Sequence, residues 1–375
     1  MLTMRNYLQP RLVTTLVLPI VLACSGYSAL GEASLADTPG TEISGHVSKE
    51  TALGEAYLTG KGVPQDMKQA AYWYEKAAGL GDPVAQNQIG YLYQVGLGVP
   101  ADPVRAIHWY QLAAANGLTD AKVNLAVAYV WGTGAQRNTA MGEQLLLEAA
   151  AKGNSVAATY LGDLHYLGIG VPRDEAAGEK WYEKAVREHS YLAEYRMGMI
   201  LSEPSGHSQD PKRAMSLFRQ SAAAGFVPAM HSLGRLLVNH PELCDSHEEA
   251  LKLLHDAAAA GTWQSSMVLG ALARDGKWVP RDDRQAYLHF RAGALQGGDP
   301  AKALVANDLQ RLSATISAED RAKLDDQAQA WAHEHGRLIS MLYKSQKNGS
   351  SGGSVALVTP SGGAHAGTLL PLTAF

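Results

Sequence analysis

The chain is predicted to be all-α, a solenoid of seven 36-residue helix-turn-helix repeats closed by a C-terminal helical cap. Three observations predict it. Gly60-Lys61-Gly62-Val63-Pro64, followed by Asp66 and Trp73-Tyr74-x-x-Ala77-Ala78, returns as Gly96-Leu97-Gly98-Val99-Pro100, Asp102, Trp109-Tyr110 and Ala113-Ala114. It returns again as Gly168-Ile169-Gly170-Val171-Pro172, Asp174, Trp181-Tyr182 and Ala185. Around these stretches a 36-residue register runs from residue 47 to 298 without insertion or deletion. A repeat of that length is a unit that buries its apolar face only by stacking on its neighbours.

Each unit reads as two helices. The first is exemplified by residues 83–95, where Asp82-Pro83 supplies an N-cap and a proline for the first turn. Ala85, Ile89, Leu92 and Tyr93 share one face at helical spacing. A small-residue column runs through the middle of this helix: Gly54, Gly90, Ala126, Gly162, Gly198, Gly234 and Gly270. Mid-helix glycine costs about 1 kcal/mol relative to alanine. Its recurrence therefore predicts close helix approach, where a Cβ would clash. The second helix starts behind Asp66, Asp102, Asn138, Asp174 and Asp210, all good N-caps. It carries the column Tyr74, Tyr110, Leu146, Tyr182, Phe218, Leu254 and Phe290. It ends at Gly81, Gly117, Gly153, His189, Gly225, Gly261 and Gly297, where glycine serves as a left-handed stop.

The Leu-Gly pair, the GxGV(P) loop, the Asp, the Ala-x-x-Trp-Tyr-x-x-Ala-Ala stretch and the closing Gly together resemble the Sel1-like repeat family, a relative of the tetratricopeptide repeat. The resemblance spans residues 47–298 and implies a right-handed α/α superhelix whose first helices line the concave side. Units one, two and four match best. Unit three carries Leu145-Leu146 in place of Trp-Tyr, and units five and six lack the glycine loop. The resemblance also implies a non-enzymatic adaptor role. Some bacterial members carry cysteines within the repeats and act on β-lactams; this chain lacks those cysteines, and that activity is not carried over.

The flanks differ from the repeats. Arg5 and Arg11 bracket a basic start, and Leu12–Ala23 is a short apolar run ending in Val21-Leu22-Ala23-Cys24-Ser25. This predicts an export signal over residues 1–24. It resembles a bacterial lipobox with Cys24 as the lipidated residue; a cleaved signal ending near Ser34-Leu35-Ala36 is the alternative. The expected location is the periplasm or the outer membrane. Residues 25–46 read as a flexible linker, 299–344 as capping helices, and 345–375 as a disordered tail. With Cys244 the only other cysteine, no disulfide framework is possible.

A net charge of −4 with 18% charged residues gives no electrostatic footprint for nucleic acid, and any membrane contact is expected only through a lipid anchor at Cys24. The GxG loops follow helices and precede Val-Pro, which is turn chemistry and no phosphate cradle. His240, Cys244 and His247 crowd one loop without a fourth metal ligand at suitable spacing. No catalytic constellation is visible, and no cofactor is expected. The remaining candidate is the first-helix face three before, one after and four after the repeat glycine. It presents Asn87, Tyr91, Gln94, Asp163, Tyr166, Tyr195, His231, Arg235 and Arg274. This polar and aromatic set varies between units as the packing columns do not, and tyrosine and arginine favour binding hot spots. The expected function is an envelope scaffold holding a protein or peptide partner. The competing expectation is an envelope enzyme or glycan-binding protein in which Tyr91 and Tyr166 stack on sugar.

Overall fold

A computed structural model describes residues 48–203, 209–244 and 246–336. Among them every regular element is helical. They divide into two compact units, residues 48–189 and 190–336. The signal, the linker and the tail expected at the termini lie outside the described residues, as do residues 337–344 of the expected cap.

The first unit contains α1 (Lys49–Thr59), α2 (Met67–Gly79), α3 (Pro83–Val95), α4 (Pro103–Ala115), α5 (Thr119–Trp131), α6 (Thr139–Ala151), α7 (Ser155–Leu167) and α8 (Glu175–Arg187). The second contains α9 (Tyr191–Ser202), α10 (Pro211–Ala223), α11 (Val227–Asn239), α12 (His247–Ala259), α13 (Trp263–Asp275), α14 (Asp283–Thr315) and α15 (Ala318–Gly336). Within each unit, helices pack in chain order as an α/α solenoid. First helices are buried almost all round, as in α3 from Ala85 to Tyr93. Second helices bury one stripe, as in α4 with Ala106, Ile107, Tyr110 and Ala113. The first helices therefore form the inner layer, since only a helix with one apolar stripe can keep its other face in water.

The second helices begin where the cap column places them. Asp66 accepts from the backbone N–H of Lys68 and Gln69, Asp102 from Arg105, Asn138 from Met141, Asp174 from Ala177 and Asp210 from Arg213. Ser246 and Asp282 extend the column. The cap's own amide ties the turn back to the preceding helix: Asp102 N–H donates to the Tyr93 carbonyl at 2.8 Å, and Asp174 N–H to the His165 carbonyl at 2.8 Å. First helices stop at left-handed glycines such as Gly96 (φ 75°) and Gly168 (φ 70°). The next glycine but one has a different role. A Cβ on Gly98 would overlap the Met67 carbonyl, and one on Gly134 would overlap the Pro103 carbonyl. Each such loop thus seats its backbone on the start of the preceding unit's second helix.

The glycine column makes the contact it predicts. A Cβ on Gly54, Gly90 or Gly162 would stand 2.7, 2.8 or 2.5 Å from the ring of Tyr74, Tyr110 or Tyr182. Gly198 and Gly270 face Phe218 and Phe290 in the same way, and Gly234 faces Leu254. All these partners are buried. Unit three varies the arrangement. Ala126 replaces the glycine, Leu146 replaces the ring, and Gly142 supplies the space, since its Cβ would stand 2.8 Å from the Ala126 carbonyl.

Two departures come late in the chain. The stop expected at Gly297 occurs at Gly298, which breaks α14 with φ 63° and ψ −149°. Gly297 instead packs beneath Trp263, where a Cβ would come within 2.7 Å of the indole. After the break, Ala301, Val305 and Leu312 bury against Phe290 and Met267, and Leu324 of α15 joins them. Asp325 of α15 accepts from Arg291 Nε at 2.8 Å and from the Tyr287 hydroxyl at 3.0 Å. This covers the end of the stack, as solenoids require. Unit seven also places Trp278 where other units have the second loop glycine, with φ 67°. Its indole stacks on His247 of α12, with centroids 4.2 Å apart.

Gly162→Val should destabilise the protein by about 1–3 kcal/mol or more through overpacking against Tyr182. Adding Tyr182→Leu should recover part of the loss, as unit three tolerates Ala126 opposite Leu146. Denaturant melts of the four-member cycle measure it; additive effects would show that the ring is not what excludes the side chain.

Candidate functional site

The close pass of the ring beneath glycine carries each tyrosine hydroxyl through to the inner layer. There it meets an acceptor on the first helix of its own unit. Tyr74 donates to Glu55 Oε2 at 2.8 Å, Tyr110 to Gln94 Oε1 at 2.8 Å and Tyr182 to Asp163 Oδ1 at 2.7 Å. Three side chains of the first-helix face are thus oriented from below. Leu146, Phe218, Leu254 and Phe290 lack a hydroxyl, so units three, five, six and seven have no such tie from this column.

Of the sequence-predicted residues in the first unit, Asn87 (1% exposed), Tyr91 (1%) and Asp163 (3%) are buried, whereas Gln94 and Tyr166 are half-buried. The structure brings Asn87 to Asn124 of the next first helix, whose Nδ2 donates to Asn87 Oδ1 at 2.8 Å. Asn87 Nδ2 and the Tyr91 hydroxyl have no hydrogen-bond partner. Burial pushes the Tyr91 hydroxyl well above the ordinary tyrosine value, so it remains a protonated donor. A buried donor without an acceptor costs about 1–3 kcal/mol, which makes these two groups unusual for a purely structural position. Tyr166 packs its ring against Tyr182 at 6.0 Å.

In the second unit, Tyr195 is buried between Phe218 and Phe226, with centroids at 6.0 and 5.1 Å. His231 Nδ1 lies 2.8 Å from Ser265 Oγ on the next first helix. Burial, and secondarily the charge of Arg235, lowers its pKa to about 3 and keeps it neutral. Burial likewise lowers the pKa of Arg235. Arg274 donates to Asp275 and, through Nη1, to the buried Asp308 at 2.9 Å. That pair ties α13 to the helix after the Gly298 break.

The expected inner row is therefore present as a register but not as an open strip of solvated side chains. Glu55 obeys the same register and escaped the sequence selection. Asn124, one position off it, and Ser265 escaped because each is defined by a contact across units that spacing along one helix does not report.

Ser265 lies beside His231 at hydrogen-bonding distance and is completely buried. Among the described residues no group of three or more His, Cys, Asp or Glu is placed to hold a metal ion. His240 contacts Glu242 at 3.0 Å, Cys244 Sγ contacts the Ser246 carbonyl at 2.8 Å, and His247 stacks on Trp278. No described helix is long and apolar enough to cross a membrane.

The profile of the family described as Sel1 repeat matches residues 50–82, 83–118, 119–154, 155–190, 192–226 and 267–298. The gap falls on unit six, whose helix pair is nevertheless formed by α11 and α12. No match is found among curated proteins. Similar solved structures include a Sel1 repeat protein from Oxalobacter formigenes, 27% identical, covering 64% of this chain and 96% of that one with a TM-score of 0.53. A protective antigen of uropathogenic Escherichia coli strains, described as displaying an SLR fold, is 23% identical, with 81% and 73% coverage and a TM-score of 0.42. Yeast Tom70 is 13% identical, with 87% and 71% coverage and a TM-score of 0.41.

Tyr182→Phe should cost about 1–2 kcal/mol, because it removes one hydrogen bond to a buried carboxylate while keeping the ring beneath Gly162. Tyr74→Phe, whose acceptor Glu55 is only half-buried, should cost less. Denaturant melts of both variants compare them; equal losses would mean that burial of the acceptor is not what sets the energy.

Proposed function

The chain belongs to the Sel1 repeat family, a helical-repeat fold that generally serves as a protein-interaction scaffold, and from that premise we propose that it is a non-enzymatic adaptor of the bacterial cell envelope. In this reading the first-helix face of units one to four holds a protein or peptide partner. One observation carries it: tyrosine hydroxyls that pass beneath glycine hydrogen-bond to Glu55 and Gln94, which stay half-buried on this face. Side chains fixed before a partner arrives lose little further freedom on binding, which is how a helical-repeat face gains affinity.

Affinity capture from envelope extract, followed by titration of the purified partner, tests this. Gln94→Ala and Tyr166→Ala should weaken the captured complex about tenfold or more at a temperature where both variants remain fully folded, whereas the exposed Lys180→Ala should leave it unchanged. Binding of purified peptidoglycan in place of a polypeptide, or equal affinity for all three variants, would overturn the assignment of this face.

The envelope location rests on the N-terminal stretch ending in Cys24. Cys24→Ala should move the protein from the membrane fraction to the soluble periplasm; an unchanged fractionation would reject the lipid anchor.

A further inference from the structure

The joint between units six and seven carries histidine in both of its helix layers. In the inner layer, His231 of α11 meets Ser265 of α13 at 2.8 Å. In the outer layer, His255 of α12 meets His289 of α14, with ring centroids 5.7 Å apart. Both helix layers of a single joint are thus bridged by imidazoles. We propose that this joint is an acid-sensitive hinge, closed while its histidines are neutral and loosened when they are protonated, so that acidification releases unit seven and the cap from unit six.

The surroundings of each ring favour the neutral form. His231 is half-buried between first helices, and the charge acting on it is Arg235, one turn along α11; a second cation there would be repelled. From α9, Tyr195 faces the same arginine, and Glu203 acts on that arginine from the end of the helix. From α13 the contact is the uncharged Ser265. In the outer layer, His289 is half-buried and opposed by His255, so a proton on either ring disfavours one on the other. Asp256, ion-paired to Lys252 at 3.1 Å, partly offsets burial at His255. Burial is the leading cause in all three cases, and it lowers the pKa to about 3 at His231, to about 4 at His289 and in the same direction at His255.

The sign follows from linkage. Each folded-state pKa lies below that of the unfolded chain, near 6.5. The closed joint therefore binds fewer protons than the open one. Its stability is fully present above about pH 6.5 and is lost as pH falls from there toward the folded values.

Hydrogen exchange of the full-length protein, corrected for the intrinsic pH dependence of exchange, reads this out helix by helix. Protection of His247–Ala259 and Trp263–Asp275 should fall at least tenfold between pH 7.5 and 4.5, while Ser155–Leu167 changes less than threefold. His231→Gln combined with His289→Gln should abolish the difference. Because those variants risk failing to fold, NMR titration of the wild-type imidazoles provides an independent check: His231 and His289 should titrate below pH 5. A midpoint near 6.5 for both, or equal loss of protection in Ser155–Leu167, would overturn the hinge.

Discussion

Everything in the repeat depends on the absence of one carbon atom. At Gly54, Gly90, Gly162, Gly198 and Gly270 a methyl group would stand under 3 Å from the ring of the second helix. With hydrogen there instead, the two helices of a unit approach closely and the ring slides under the first helix. Glycine in a helix interior is intrinsically unfavourable by about 1 kcal/mol. Burying a Tyr or Phe completely returns about 1.5–3 kcal/mol, so the exchange is favourable in every unit that makes it.

The same contact links packing to the inner face. A tyrosine that passes beneath glycine reaches the far side with its hydroxyl, and there it orients Glu55, Gln94 or Asp163. Phenylalanine fills the same space but ends in carbon. Whether a unit has Tyr or Phe at this column therefore decides whether its inner side chain is held, although the core barely changes. Units one, two and four hold theirs; Phe218 and Phe290 leave the face of units five and seven to other contacts, such as Arg274 with Asp308.

Variation between units is compensated rather than random. Unit three combines a slightly larger first-helix residue, Ala126, with a smaller second-helix residue, Leu146, while Gly142 lies against the Ala126 carbonyl. Unit seven puts Trp278 at a position where other units require glycine because backbone meets backbone. A tryptophan with φ 67° is strained, and the stack on His247 and the packing of its indole beside Val238 and Leu272 hold it there. Unit six lost its glycine loop and escapes the family profile, yet Gly234 still faces Leu254 and its helices still form. The column inside the helices, not the loop between them, is what a unit cannot do without.

What was legible in the sequence is whatever repeats along one helix. The 36-residue register, the five caps from Asp66 to Asp210 and the column of six glycines and one alanine all report local backbone needs, so the chain states each of them several times over. The inner-face positions were legible as a register too. Their condition was not: Asn87 paired to Asn124, His231 to Ser265 and His255 to His289 are contacts between units, set by how far one helix pair is rotated and shifted on the next. The shift of the last stop from Gly297 to Gly298 arises within unit seven, where Trp263 of the first helix occupies the space above Gly297, a tertiary contact that spacing along one helix does not report. Periodicity encodes what each residue demands of its own helix; the neighbours it meets across a joint depend on the stacking geometry, which arises only when the units are assembled.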